Sequence, residues 1–447
     1  MPKKDKGLSA WALTMLALGT VIGGSFFLGV AIPIKEAGPS IIVSYIIGGA
    51  LVYFILFALS EMTVANPDPG SFRTYAGNAF GTGTAFITGW IYWTGLILGM
   101  SSESIAVSVF IRVWFPRVSI PVLGSIVIIV VTLANLLGAD KLSKLESGLA
   151  AVKLLAIVGF IVIGIALIGG FMTGKQAIGL GSVKSEPLMP GGIGGIAGSM
   201  LIVMFAYAGF EIIGLASSET ANPHKTVPRA IFLTVILLVS LYIISVIVLL
   251  PLIPTDKLTP DTSPFVAALQ ERGVGWAANA INVVLVTAIL STMLASTFGL
   301  GRMMRSLADE GHAPGFLKDK GDIPKRGILA SGVAMLLGLA LGYILPKQVY
   351  LFLVSSGSFS LLLTYLIIVA SHYRFRKKNG CPPSGSCQLP GFPYTSWFAM
   401  ATIVAIIASM PLVPGQGAGL IAGLVLLAVF FIVYIIMKSI RRRETNK

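Results

Sequence analysis

Charge is what this sequence has least of. Lysine, arginine, aspartate and glutamate make up 11% of its 447 residues, against roughly 25% in a soluble globular chain. A water-soluble enzyme or binding domain of this length is excluded on that ground. Cysteine is almost missing too: Cys381 and Cys387 are the two present, both in CPPSGSC. Two thiols make no disulfide framework, and a cysteine metal centre wants more ligands. Histidine occurs as His224, His312 and His372, and none stands near a serine or cysteine at hydrolase-like spacing. The phosphate-cradling pattern GxxxxGK[ST] does not occur, so nothing in the chain points to an ATP-driven pump. No catalytic constellation supports an enzyme, and no cofactor or metal is implied.

Apolar residues fill the space. The chain is 55% hydrophobic, with mean hydropathy +0.89. Apolar runs lie at about 9–34, 40–64, 82–111, 119–138, 147–170, 191–217, 230–253, 275–301, 328–345, 348–371, 395–412 and 416–437. That is about twelve spans, each near the ~20 residues a bilayer requires. A spanning segment must satisfy its own backbone, so each is expected as a helix. The expectation is an all-α polytopic membrane protein, one transporter domain over 1–447, with the lipid bilayer as its surroundings. The first run exceeds the roughly 7–15 apolar residues of a cleaved signal peptide.

The scarce charge is placed unevenly. With the N-terminus inside, 23 of the 32 lysines and arginines fall in cytoplasmic segments and 8 outside, leaving Lys153 within a span. This is the positive-inside pattern, and it puts both termini on the cytoplasmic side of the cell membrane. The net charge of +14 is therefore a topology signal, and no nucleic-acid partner is expected. CPPSGSC falls on the cytoplasmic side, where reduced thiols are expected.

Two spans are interrupted. The first reads LGTVIGGSFFLG over 18–29, and the sixth reads FAYAGFE over 205–211. Five crossings separate their starts, an odd number, so the two run in opposite directions. That is the arithmetic of an inverted repeat: 9–170 (helices 1–5), 191–371 (helices 6–10), then 395–437 (helices 11–12). Glycine-interrupted spans at matching places in two halves point to a transport site. A broken helix frees N–H groups on one side, suited to a carboxylate, and carbonyls on the other, suited to an ammonium. Two such breaks side by side suit a zwitterion, and an α-amino acid is the obvious one.

Four ionisable residues lie within spans: Glu61, Glu103, Lys153 and Glu211. On insertion scales each costs about 2.5–3.5 kcal/mol at a span centre, so each is a functional candidate. Glu61, at the inner end of its span, is open to a capping or a coupling role. Glu211 follows the second break, where its carboxylate reaches freed amides. Lys153 stands alone in AAVKLLAIVG, where burial lowers a lysine's pKa and equips it to exchange a proton.

These segments resemble the amino-acid permeases of the amino acid–polyamine–organocation superfamily, in their amino-acid transporter branch. The resemblance covers about 9–375. It rests on Gly19–Gly29, AGPSIIVSYIIGGALVYFILFALSEM (37–62), PDPGSFRTYA (67–76), GWIYW (89–93), FAYAGFEIIGLASSETANPHKTVPRAI (205–231) and RMMRSLADEGHAP (302–314). It implies the leucine-transporter type of five-plus-five fold with helices 1 and 6 broken. It implies that Gly23, Gly24 and Ser25 amides meet the substrate carboxylate, and that carbonyls near Val21, Phe205 and Ala208 meet its ammonium. Phe205 matches the outer gating aromatic. Lys153 matches a lysine that replaces sodium in proton-coupled relatives, bridging to Gly19 and to a hydroxyl such as Ser291. Glu103 and Glu211 match family carboxylates, Glu103 at the substrate and Glu211 in proton coupling. The chain departs from the family pattern at Ser25, whose hydroxyl stands one residue late, at Ser60, and at Leu294 where an asparagine is usual. The last favours an apolar side chain. The expected function is proton-coupled import of a neutral or apolar L-amino acid by alternating access. The alternative is an exchanger or a polyamine or amine permease of the same fold.

Overall fold

The computed structural model describes residues 8–445 apart from 69, 173, 175, 218, 219, 221, 260, 261, 320, 322, 345–348 and 382–386. Lys3, Lys4, Lys6, Lys175, Lys320, Lys347 and Lys447 of the charge pattern lie outside these residues. Every regular element among the described residues is a helix.

The first crossing is built in pieces. α1 (Ala10–Val21) starts at Ser9, whose Oγ accepts the Ala12 N–H at 3.1 Å. It stops where β-branched Val21 and Ile22 meet a Gly-Gly pair, a run with low helix propensity. Ile22 and Gly23 are extended, α2 (Gly24–Phe27) restarts for one turn, and α3 (Ala31–Ala37) follows. The sixth crossing breaks in the same manner. α9 (Gly192–Tyr207) ends at an extended Ala208; Gly209 has φ +107°, and α10 (Ile212–Ala216) resumes. That φ is open to glycine and strained for any other residue.

The remaining helices are α4 (Ile41–Ala65), the short α5 (Phe72–Phe80), α6 (Thr82–Ile111), α7 (Ile120–Asn135), α8 (Ala139–Gly169), α11 (Pro223–Leu252), α12 (Pro264–Glu271), α13 (Gly275–Asp309), α14 (Lys325–Ile344), α15 (Val349–Asn379), α16 (Tyr394–Ser409) and α17 (Gly417–Thr445). Among the described residues, nine helices are long and apolar enough to cross a membrane, fewer than the twelve expected. Three of the expected spans are not among them: α1, which the break leaves with 12 residues, α7, which has 16, and α14.

Burial sorts the bundle into centre and rim. In the apolar windows of α6 and α15, 78% of residues are buried, whereas in α17 it is 6%. The centre therefore holds α1, α6, α9 and α15, and α17 turns its surface to lipid. Close approach at the centre depends on small residues. A Cβ on Gly95 of α6 would stand 2.8 Å from the Ser360 Cβ of α15. The two breaks abut: a Cβ on Gly209 would stand 3.1 Å from the Thr20 carbonyl oxygen.

Candidate functional site

Both ends of the first break are occupied by charged side chains of this chain. On the carbonyl side, the Lys153 ammonium of α8 donates to Gly19 O at 2.6 Å and Ile22 O at 3.0 Å, with Thr292 Oγ1 of α13 at 3.3 Å. Thr292 Oγ1 in turn donates to Ile22 O at 2.9 Å. Lys153 is fully buried, so these oxygens replace water around its charge. On the amide side, the Glu103 carboxylate of α6 accepts from Gly24 N–H at 2.6 Å and Ser25 N–H at 2.9 Å.

The bridge from Lys153 to Gly19 stands where the sequence reading put it, but the hydroxyl differs. It is that of Thr292; the Ser291 Oγ is buried with no partner among the described residues. Neighbours on a helix point about 100° apart, so one step in register decides which hydroxyl faces the break. Glu103 is also placed differently from a simple substrate contact. It lies on the amides that the reading reserved for the substrate carboxylate. Among the described residues no backbone donor reaches the Val21 or Ala208 carbonyl, and Phe205 O accepts the Ala208 N–H at 3.0 Å. The Phe205 ring lies over Gly99, where a Cβ would come within 3.2 Å of it.

The second break is braced by Glu211. Its carboxylate accepts from the Gly209 N–H at 3.1 Å, from Tyr92 Oη of α6 at 3.1 Å and from Tyr365 Oη of α15 at 3.0 Å. One side chain thus ties the broken helix to two long ones. Sequence reasoning missed Tyr92, although it stands in GWIYW, and it missed Tyr365 and Thr292, which carry no signal of their own in an apolar run.

Glu61 ties a loop to the inner end of α4. It accepts from His372 Nε2 at 2.6 Å, from the Gln388 and Leu389 N–H groups at 2.6 and 2.7 Å, and from Arg376 Nη1 at 3.3 Å. The chain after α15 folds back onto α4 to make these bonds. The same reversal brings Cys381 to Cys387, with Cα atoms 5.1 Å apart, a separation that a disulfide can bridge.

A second polar tie lies on the face expected to be cytoplasmic. The fully buried Arg73 of α5 grips Glu310 just past α13 through both guanidinium nitrogens, one at 2.8 Å, and also reaches Ser306 Oγ at 2.8 Å. Arg73 holds the Glu310 carboxyl below its usual range. A depressed carboxylate stabilises the fold above its unfolded pKa and loses that contribution as pH falls through the lowered folded value. Because Glu310 is half exposed, the tie is worth about 1 kcal/mol. Glu310→Gln is expected to lower thermal stability in detergent by that amount at pH 7, and the wild type to lose the same increment below about pH 4. Equal melting of the two forms across that range would refute it.

The profile of the amino acid permease family matches residues 12–447. The amino acid permease YtnA of Bacillus subtilis (strain 168) is 33% identical over 439 residues, covering 95% of this chain and 94% of that one. The γ-aminobutyric acid permease of the same organism is 31% identical over 447 residues, covering 99% and 95%. The aromatic amino acid transport protein AroP of Escherichia coli O6:H1 is 31% identical over 416 residues, covering 92% and 91%. In fold, the chain is similar to a solved manganese transporter of Eremococcus coleocola, with TM-score 0.55 at 14% identity over 97% and 94% of the two chains.

Proposed function

We propose that this chain, which belongs to the amino acid permease family, imports a neutral L-amino acid together with a proton by alternating access. It is a multi-pass membrane protein of the transporter class, and no enzymatic step is needed. The observation that carries the reading is the first break, with carbonyls on one side, amides on the other and a buried lysine bridged to the carbonyls. A zwitterion's two ends match the two sides of such a break.

The proposed cycle has three parts. A proton binds within the site, the substrate settles between the breaks of α1–α2 and α9–α10, and Phe205 covers it from outside. The two inverted repeats, 9–170 and 191–371, then rock to open the inner side. The proposed setting is the cytoplasmic membrane with both termini inside, supported by the 23-to-8 split of basic residues. Leu294 in place of the family asparagine supports an apolar or small side chain. A second reading, an amine permease, is favoured by one observation: Glu103 fills the amides, while among the described residues no backbone donor takes the Val21 or Ala208 carbonyl.

The test is uptake into proteoliposomes of radiolabelled L-threonine, L-asparagine, L-phenylalanine, γ-aminobutyrate and putrescine, with and without an inward proton gradient. Saturable uptake of an amino acid, enhanced by the gradient, is the expected result. Uptake of putrescine alone would establish the second reading, and gradient-independent counterflow would make the chain an exchanger.

A further inference from the structure

The amide end of the first break is already full. Gly24 and Ser25 have one N–H each, and both donate to the two oxygens of Glu103. A second carboxylate on the same pair would have to displace those bonds, because each backbone N–H is a single donor. A single methyl on Gly24 would come within 2.7 Å of Glu103 Oε2, 2.9 Å of the Ala106 Cβ and 3.0 Å of the Ile289 Cδ1. Glu103 itself is buried, so those N–H donors stand in for water around its carboxylate. At the other end of the same break sits the Lys153 ammonium. The site thus contains a carboxylate and an ammonium of the protein's own, the same pair an amino acid would bring.

We infer that Glu103 is an internal competitor for the substrate: its carboxylate holds the Gly24 and Ser25 amides in the empty transporter and must release them to an arriving substrate carboxylate. This rests on the amino-acid reading above. Two carboxylates on one pair of amides repel, and such a pair is relieved by protonating one of them. A proton taken up on a Glu103 carboxylate oxygen removes its charge, the two N–H donors transfer to the substrate carboxylate, and the neutral acid swings aside. On release the proton leaves and Glu103 returns to the amides. The charged and titratable groups around Glu103 are Lys153 of α8, Tyr242 of α11 and Tyr350 of α15. Phenols ordinarily ionise only near pH 10, which leaves Glu103 and Lys153 as the groups that a proton visits. Competition predicts the sign: substrate binds the wild type more tightly as pH falls.

Two measurements on the full-length protein in detergent decide this. The first needs no substrate. Hydrogen–deuterium exchange over residues 20–28 is expected to quicken about tenfold at the Gly24 and Ser25 amides in Glu103→Ala; unchanged exchange would overturn the inference. The second is binding of L-threonine, L-asparagine, L-phenylalanine and γ-aminobutyrate, one at a time, to wild type, Glu103→Gln and Glu103→Asp. Glutamine removes the charge, and aspartate keeps it but falls one methylene short of the amides. Both variants are expected to bind about tenfold more tightly than wild type at pH 7.5, and Glu103→Gln to lose the dependence on pH. Weaker binding by Glu103→Gln at every pH would sink the competition and leave the permease reading standing. If no form binds any of the four, the amino-acid reading falls and the inference with it.

Discussion

Replacing Lys153 by alanine is expected to abolish uphill, gradient-driven uptake while substrate binding and counterflow survive. The ammonium ties α8 to the carbonyl end of the first break, through Gly19 O and Ile22 O. Hydrogen bonds to a charged group contribute about 1.5–3 kcal/mol each, enough to set the angle at which α1 meets the rest of the bundle. Lysine, unlike arginine, can give up its proton inside a protein. Loss of its proton would loosen both carbonyls at once and so couple protonation to the shape of the break. With alanine there, α8 no longer holds the carbonyl end of the break, and accumulation in proteoliposomes should fall to the level reached without a gradient. Undiminished accumulation by Lys153→Ala would disprove the coupling role.

Gly24→Ala is expected to cut transport about a hundredfold, whereas Gly19→Ala, five residues earlier in the same interrupted span, should be nearly silent. The contrast comes from space alone. A methyl on Gly24 meets Glu103, Ala106 and Ile289 within 3.0 Å, on two different long helices. Overpacking of that kind costs about 1–3 kcal/mol, and here it also pushes Glu103 off its amides. A methyl on Gly19 meets only the Ala150 Cβ, at an ordinary 3.6 Å, and lies within α1, where alanine improves helix propensity. Initial rates of uptake for the two variants, matched for protein incorporated, give the comparison. Equal rates would show that the crowding at Gly24 is relieved by motion.

Much of this architecture was legible before any coordinates. Breaks in the first and sixth crossings follow from glycines and β-branched residues in places where a lipid-facing helix gains nothing from them. Lys153, Glu103 and Glu211 stood out because a charge in an apolar run needs a reason. What stayed hidden was partner choice. Thr292, Tyr92 and Tyr365 are neutral, cost little in a helix, and look like packing until three helices are brought together. Ser291 and Thr292 differ by one step of register, which no composition argument resolves. The place of Glu103 on the amides was concealed for a related reason: the same donors suit a substrate's carboxylate and a side chain's equally well. Glu61 was read as either cap or coupler because its partners, Gln388 and Leu389, lie more than three hundred residues further along the chain.

The contact between Gly209 and Thr20 has a mechanical consequence. At 3.1 Å from the ideal Cβ position to the Thr20 oxygen, the two interruptions are not separate joints but one fulcrum with two pairs of arms. A tilt of α1 against α2 would bear on Gly209 and so on α9 and α10, and the reverse would hold equally. Whatever rests at that fulcrum would touch all four arms at once, so a molecule only a few ångströms across would meet helices as long as about 24 Å.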